Sequence, residues 1–144
     1  MIWFGGKRPT AAAINASGTA SMPGFVGIEF VDAGDDWFSM RMPVDRRTRQ
    51  PQGRLHGGAS VVLAETIGSI AANCCIDPSR WLAVGMEINA NHIRPAYDGW
   101  VTATARPEAL GRTSHVWSIR IEDEAGKLVC ISRFTVAVIP VERK

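Results

Sequence analysis

Glu65 stands in the middle of a run that is otherwise apolar or small: Leu55-His56-Gly57-Gly58-Ala59-Ser60-Val61-Val62-Leu63-Ala64-Glu65-Thr66-Ile67-Gly68-Ser69-Ile70-Ala71-Ala72-Asn73. A helix that is apolar on all sides belongs in a core, and an ionised carboxylate there is costly unless something offsets it. That cost marks Glu65 as a candidate nucleophile or general base. A second feature lies at the start of the same run. Gly57 and Gly58 fall where the helix begins. There the first backbone N–H groups lack internal partners and the helix dipole is positive. Glycines let a ligand approach such a backbone closely. A helix start of this kind can hold the oxyanion of an acyl transfer. Glu65 lies about two turns further in. A carbonyl held at the glycines would therefore meet a carboxylate reaching across from a facing subunit. Ser69 follows Glu65 by four residues on the same face, and Thr66 adds a hydroxyl near that level.

Gln50 and His56 flank the loop before the helix, and each can hydrogen-bond a carbonyl or orient a water. Other chemistries find less support. Ser60 lacks the glycines of a nucleophile elbow. Cys74 and Cys75 have no evident base. His56, His92 and His115 lack metal-ligand spacing, so neither metal nor cofactor is expected. A blander reading stands beside the catalytic one. Glu65 would pair with an arginine such as Arg94 or Arg133, the glycines would permit tight packing, and His56 would cap a loop. Arg46, Arg47 and Arg49 form a run suited to a solvated loop or to attracting phosphate.

The elements that must position these residues follow from periodicity. A short helix over 10–16 is capped by Thr10. Val26, Ile28 and Phe30 alternate with smaller or polar residues, Gly34-Asp35-Asp36 turns, and Phe38, Met40, Met42 and Val44 alternate again, giving a hairpin. The long helix runs to about Cys75, where Asp77-Pro78 stops it. Strands follow at 81–94, 100–107, 116–122 and 128–139, with turns at Asp98-Gly99, Gly111-Arg112-Thr113 and Glu124-Ala125-Gly126. Two strands, one buried helix and four strands fit an α+β fold, a helix wrapped by a curved antiparallel sheet. The outer sheet face, still partly apolar, calls for a partner, and an oligomer supplies one.

Composition bounds the alternatives. The 144 residues suit one domain, 1–144. They are 46% apolar and 21% charged with a net charge of +2, so no broad basic field suggests nucleic acid. Adjacent Cys74 and Cys75 with a solitary Cys130 argue against a disulfide scaffold. The start carries no secretory pattern, and no run is apolar enough to span a membrane, so a cytoplasmic location is expected.

The stretch 42–94 carries a resemblance. Pro43-Val44-Asp45, Gln50-Pro51, the His56-to-Glu65 run and Gly85-Met86-Glu87-Ile88-Asn89-Ala90-Asn91-His92 resemble the hotdog-fold acyl-CoA thioesterases. The similarity is to the subgroup that holds the 1,4-dihydroxy-2-naphthoyl-CoA hydrolase of menaquinone synthesis and the proofreading thioesterase of enterobactin synthesis. It extends over nearly the whole chain, including Met1-Ile2-Trp3. The resemblance implies hydrolysis of an acyl-CoA thioester, with an aromatic acyl group expected. Glu65 then corresponds to the catalytic carboxylate and the Gly57 N–H to the carbonyl donor. Gln50 and His56 correspond to groups that position carbonyl, water and thiolate. Thr66 and Ser69 correspond to the acyl pocket. Coenzyme A contacts fall on Gly85, on His92-Ile93-Arg94-Pro95 and on the turn Ala109-Leu110-Gly111-Arg112-Thr113-Ser114. Arg94 and Arg112 suit phosphate. Pro95 stands where a small hydroxyl residue is familiar. The resemblance also implies a homodimer or homotetramer with sites at a subunit interface, and a substrate on free coenzyme A or on an aryl carrier protein. Two other readings stay open. One is a hotdog dehydratase using His56 with Glu65, although Gly57-Gly58 replaces the expected His-Phe-Pro turn. The other is a non-catalytic acyl-CoA-binding module, which would usually lack the carboxylate.

Overall fold

The 18-residue helix α3, Gly57–Cys74, forms the axis of the molecule. The computed structural model describes residues 1–15 and 20–142. His56 caps α3: its Nδ1 accepts a hydrogen bond of 2.8 Å from the Gly58 N–H, satisfying one of the orphan donors of the first turn. Ser60, Leu63, Ala64, Ile67, Gly68, Ala71 and Ala72 are buried. Their three- and four-residue spacing makes a single stripe. Gly68 on that stripe lets the sheet come close, since a Cβ there would lie 2.4 Å from the Phe134 ring.

Six antiparallel strands wrap this stripe in the order β1-β2-β4-β5-β6-β3. They are β1 (Glu29–Ala33), β2 (Phe38–Pro43), β3 (Trp81–His92), β4 (Trp100–Leu110), β5 (Ser114–Glu122) and β6 (Leu128–Pro140). Alternate residues point at α3 and are fully buried, among them Val101, Ala103, Trp117, Ile119, Ile121, Phe134 and Val136. The intervening positions on β4, β5 and β6 include Thr102, Thr104, Ser118, Arg120, Arg133 and Thr135, so the outer face is largely polar with Val116 and Ile131 among them. β3 leaves α3, crosses over and pairs only with β6, so one of its edges is free. Asn73 ties α3 to that edge. Its Nδ2 donates to the Ala83 carbonyl at 3.1 Å and its Oδ1 accepts from the Ala83 N–H at 3.0 Å.

Several expectations need correction. The helix is not enclosed on all sides: Glu65 is exposed, and Thr66, Ser69 and Ile70 are half-buried. The run is apolar because its buried side uses Ala and Gly to sit close on the sheet, while its other side opens to cavities. β1 begins at Glu29, not Val26. Gly27 takes a left-handed φ of 79°, and a Cβ there would lie 2.9 Å from Pro43, so the chain turns before the strand starts. β4 runs past Pro107 to Leu110 through a bulge at Pro107/Ala109, where a proline is tolerated. Two short elements escaped the sequence reading, a 3-10 turn at Phe4–Gly6 and α2 (Met22–Phe25). The first helix, α1, is Ala11–Asn15, and Ala16 lies outside the described residues.

Candidate active site

Glu65 extends from α3 across the backbone of β3. A Cβ built on Gly85 would lie 2.8 Å from Glu65 Oε1. Glu65, Thr66, Ser69 and Ile70 line one side of a cavity of about 670 Å³. Ile28 just before β1, Met40 of β2, and Ile14 and Asn15 of α1 line other parts of it. The volume is in the range of small-molecule sites. Glu65 forms no ion pair with Arg94 or Arg133 among the described residues; the ion pairs found involve other carboxylates. The structural reading of Glu65 as an arginine partner is therefore set aside.

The start of α3 opens into a different cavity of about 310 Å³. Gly57, Ser60, Gln50, His92, Ile93, Arg94 and Pro95 line it, together with Arg54 and Leu55. His92 lies directly over the helix start: a Cβ on Gly57 would be 2.9 Å from His92 Nε2. Glycine is thus needed there for packing as well as for ligand approach. The Gln50 side-chain oxygen accepts from the Gln52 N–H, which leaves its amide N–H groups as donors toward the cavity. Hydrogen bonds pin this loop to the connection between β3 and β4, Leu55 N–H to Ala96 O at 2.7 Å and Arg49 to Tyr97 O at 2.7 Å. Of the loop arginines, Arg47 is paired with Asp45 and holds that carboxylate below its usual range by hydrogen bonding to it.

His56 faces neither of these two cavities. It borders a third, of about 350 Å³, with Met42, Gly58, Ala59 and Val62. Its Nδ1 is an acceptor in the helix cap, so the ring carries its proton on Nε2. His56 and Glu65 are nine residues apart along the helix, about 13 Å by helical rise. A dehydratase pairing of the two within one chain is therefore excluded by distance.

Glu65 and Gly57 are likewise eight residues apart, about 12 Å, and line separate cavities. The structure brings Gln50, Gly57 and His92–Pro95 together at one place and Glu65, Thr66 and Ser69 at another. Gly85 sits beside Glu65, away from the first group. The segment 109–114 joins neither. Ala109 and Leu110 end β4 and Ser114 starts β5, so only Gly111, Arg112 and Thr113 form the turn. That turn faces Val136–Ala137 of β6, whereas His92 faces Cys130. Six to seven strand residues separate them, roughly 20 Å.

Four residues were missed. Ser60, 1% exposed, lines the Gly57 cavity. Its position three residues after Gly57 put it on the same helix face and was readable. Arg54 lines the same cavity, and only its place in the loop beside His56 hinted at that. Ile14 and Asn15 reach the Glu65 cavity through long-range packing with no sequence signal. Among the described residues, no group of three or more His, Cys, Asp or Glu is placed to hold a metal ion. Burial raises the Cys74 thiol pKa and pushes Cys75 up to about 12, so neither is an activated nucleophile. Among the described residues, no helix is long and apolar enough to cross a membrane.

Comparison with known proteins supplies the rest. The profile of the thioesterase superfamily matches residues 52–130. The 1,4-dihydroxy-2-naphthoyl-CoA hydrolase of Escherichia coli is 50% identical over 139 residues, covering 96% of this chain and 100% of its own. The proofreading thioesterase EntH of Cronobacter turicensis is 43% identical over 139 residues, covering 96% of this chain and 99% of its own. A crystal structure of a Haemophilus influenzae thioesterase superposes with a TM-score of 0.94 at 47% identity, covering 99% of this chain and 98% of that one. A glutamine-to-alanine mutant thioesterase from Pseudomonas aeruginosa gives a TM-score of 0.95 at 48% identity, covering 98% and 100%. With its helix-wrapping six-strand sheet and a match over more than half its length, the chain belongs to the thioesterase superfamily and is a hotdog-fold thioesterase.

Proposed function

We propose that the protein hydrolyses aromatic acyl-CoA thioesters at a site shared between two copies of the chain. The observation that carries this reading is the placement of Glu65 at a cavity of about 670 Å³ bearing the Thr66 and Ser69 hydroxyls. The acyl group lies in that cavity. The thioester carbonyl accepts a hydrogen bond from the Gly57 N–H at the positive end of α3, aided by Gln50. Glu65 drives attack on the carbonyl carbon, either directly or by taking a proton from water. The C–S bond then breaks, the thiolate leaves and is protonated, and the carboxylic acid is released.

The separation of Gly57 from Glu65 supports the shared site, because one carbonyl cannot touch both groups of a single α3. A second copy meets this need if it pairs along the free edge of β3. That edge is 12 residues long and exposes Leu82 (44%) and Met86 (67%), a surface that invites another strand. A dimer or a pair of dimers follows. Arg54 and Arg94, neither facing a carboxylate in their cavity, suit the phosphates of coenzyme A. The 50% identity with a dihydroxynaphthoyl-CoA hydrolase makes that ester, and hence menaquinone synthesis, the first substrate to try. The three free cysteines suit a reducing cytoplasm. A non-catalytic binding module is disfavoured by the presence of Glu65.

The test is thiol release from benzoyl-, hydroxybenzoyl- and dihydroxynaphthoyl-CoA. Wild type should turn over at least one of them, and Glu65→Gln should lose roughly 10²- to 10⁴-fold in kcat. Full activity in Glu65→Gln would overturn the reading. Single turnover in ¹⁸O-water bears on the route, since label enters Glu65 only when direct attack forms an anhydride and water opens it at the Glu65 carbonyl.

A further inference from the structure

One wall of the Glu65 cavity has no part in the chemistry described above. Besides Thr66, Ser69 and Ile70 of α3, the cavity is lined by the N-terminal arm, where α1 contributes Ile14 and Asn15, and by residues between Ser21 and Glu29. This arm is held to the body of the molecule at several points. The Trp3 indole is buried and donates to the Gly34 carbonyl at 2.7 Å. The Ile2 N–H donates to the Asp35 carbonyl at 2.9 Å and the Arg8 guanidinium pairs with the Asp35 carboxylate, while within the arm the Thr10 carbonyl accepts from the Ile14 N–H at 3.0 Å. Ile14 is half-buried and packs against the hydrophobic core. The last residue of α1, Asn15, is exposed and lines the same cavity.

We infer that Ile14 and Asn15 are specificity-determining residues: Ile14 is the far wall that limits the size of the acyl group, and Asn15 reads a polar substituent at its distal end. This rests on the reading of Glu65 as the group that attacks the thioester. At about 670 Å³ the cavity has room for more than a single ring, and on this inference it is the larger acyl group that reaches α1. An acyl group that touches Ile14 withdraws apolar surface from water on both partners. A carboxamide both donates and accepts, so Asn15 suits a ring hydroxyl or keto oxygen and not a bare hydrocarbon edge. A site built to hydrogen-bond a substituent discriminates against the analogue that lacks it more strongly than an apolar wall discriminates by size. Glu65, Thr66 and Ser69 stand near the thioester end, so the two ends of the acyl group are recognised by different elements.

The experiment compares full-length wild type, Ile14→Ala, Ile14→Trp and Asn15→Ala on benzoyl-, naphthoyl-, hydroxynaphthoyl- and decanoyl-CoA. Ile14→Trp should lower kcat/KM for naphthoyl-CoA by about tenfold or more while benzoyl-CoA changes by less than about threefold. Ile14→Ala should shift preference toward decanoyl-CoA. Asn15→Ala should reduce the hydroxynaphthoyl-to-naphthoyl ratio by about tenfold. These ratios do not move if a variant is merely less stable, since that scales every ester alike. Unchanged ratios in Ile14→Ala and Asn15→Ala, with or without a uniform loss, would overturn the inference even if Ile14→Trp fails to fold. A wild-type protein that releases no thiol from any ester would instead overturn the thioesterase reading on which it rests.

Discussion

The Glu65 carboxylate rests on the backbone of Gly85. A Cβ at that position would lie 2.8 Å from Glu65 Oε1 and 3.1 Å from Phe134 Cζ. The strand therefore fixes how far the carboxylate can settle toward the sheet. Gly85→Ala should displace it by a fraction of an ångström to an ångström. Misplacement on that scale lowers kcat by about 10- to 100-fold, with little change in melting temperature. Steady-state kinetics beside a thermal melt checks this, and an unchanged kcat would contradict it.

The division of the site between two cavities makes a complementation experiment decisive. Glu65→Ala leaves the Gly57 half intact. Gly57→Val disables that half, because its Cβ already meets His92 Nε2 at 2.9 Å, and leaves Glu65 intact. Each variant alone should be nearly inactive. Mixed after subunit exchange, they should recover about a quarter of wild-type activity, since half the dimers are hybrids with one whole site of two. No recovery despite proven exchange would mean that both groups act within one chain.

The two arginines at the Gly57 cavity should act on coenzyme A and not on the acyl group. Arg54→Ala and Arg94→Ala should each raise KM for a CoA ester about tenfold, the loss of one charge-assisted contact to phosphate. The matching N-acetylcysteamine ester has no phosphate, and its hydrolysis should be unaffected. Equal losses on both esters would show that these arginines serve the fold.

Much of this arrangement was readable in the chain, and the reasons differ by element. α3 was legible because its small and apolar residues run unbroken from Gly57 and because Asp77-Pro78 cannot continue a helix. The β4–β5 and β5–β6 hairpins were legible from alternation and from Gly111 and Ala125-Gly126, whereas Asp98-Gly99, which signals a hairpin, joins β3 to β4, strands that do not pair. What Glu65 faces was not legible. A run of apolar residues reads the same whether a helix is wrapped on every side or lies with one face on a sheet, and only the placement of β3 beside Glu65 settles it. Ile14 and Asn15 sit on a short helix that was legible, but nothing local to it could place it at the Glu65 cavity. The end of β4 was not legible, because Gly111 signals a turn that is present at 111–113, while the bulge at Pro107/Ala109 carries the strand past Pro107 to Leu110.

His115 gives the fold a dependence on pH that is separate from catalysis. It is 4% exposed and its Nδ1 has no hydrogen-bond partner. Burial lowers its pKa below the ordinary 6.5. Above about pH 6.5 the ring is neutral in both folded and unfolded chains, so it contributes no pH dependence. Below that, the unfolded chain takes a proton that the folded one refuses, and stability falls by up to about 1.4 kcal/mol per pH unit until the lowered pKa is reached. Urea midpoints from pH 8 to pH 5 should decline on the acid side, and His115→Leu should flatten that decline. An equally steep decline in the variant would assign it to other groups.

The Asn73 carboxamide presents to Ala83 the same donor and acceptor that a neighbouring strand would. It occupies both edge-facing groups of Ala83 at 3.0 and 3.1 Å. The outer border of β3 is therefore sealed at one point and open beyond it, toward Asn91. A strand arriving from another copy cannot slide past Ala83 without evicting the helix's own side chain. In the proposed pairing of two copies along β3, Asn73 would work as a stop on a ruler, fixing where the incoming strand begins and with it which residues come face to face.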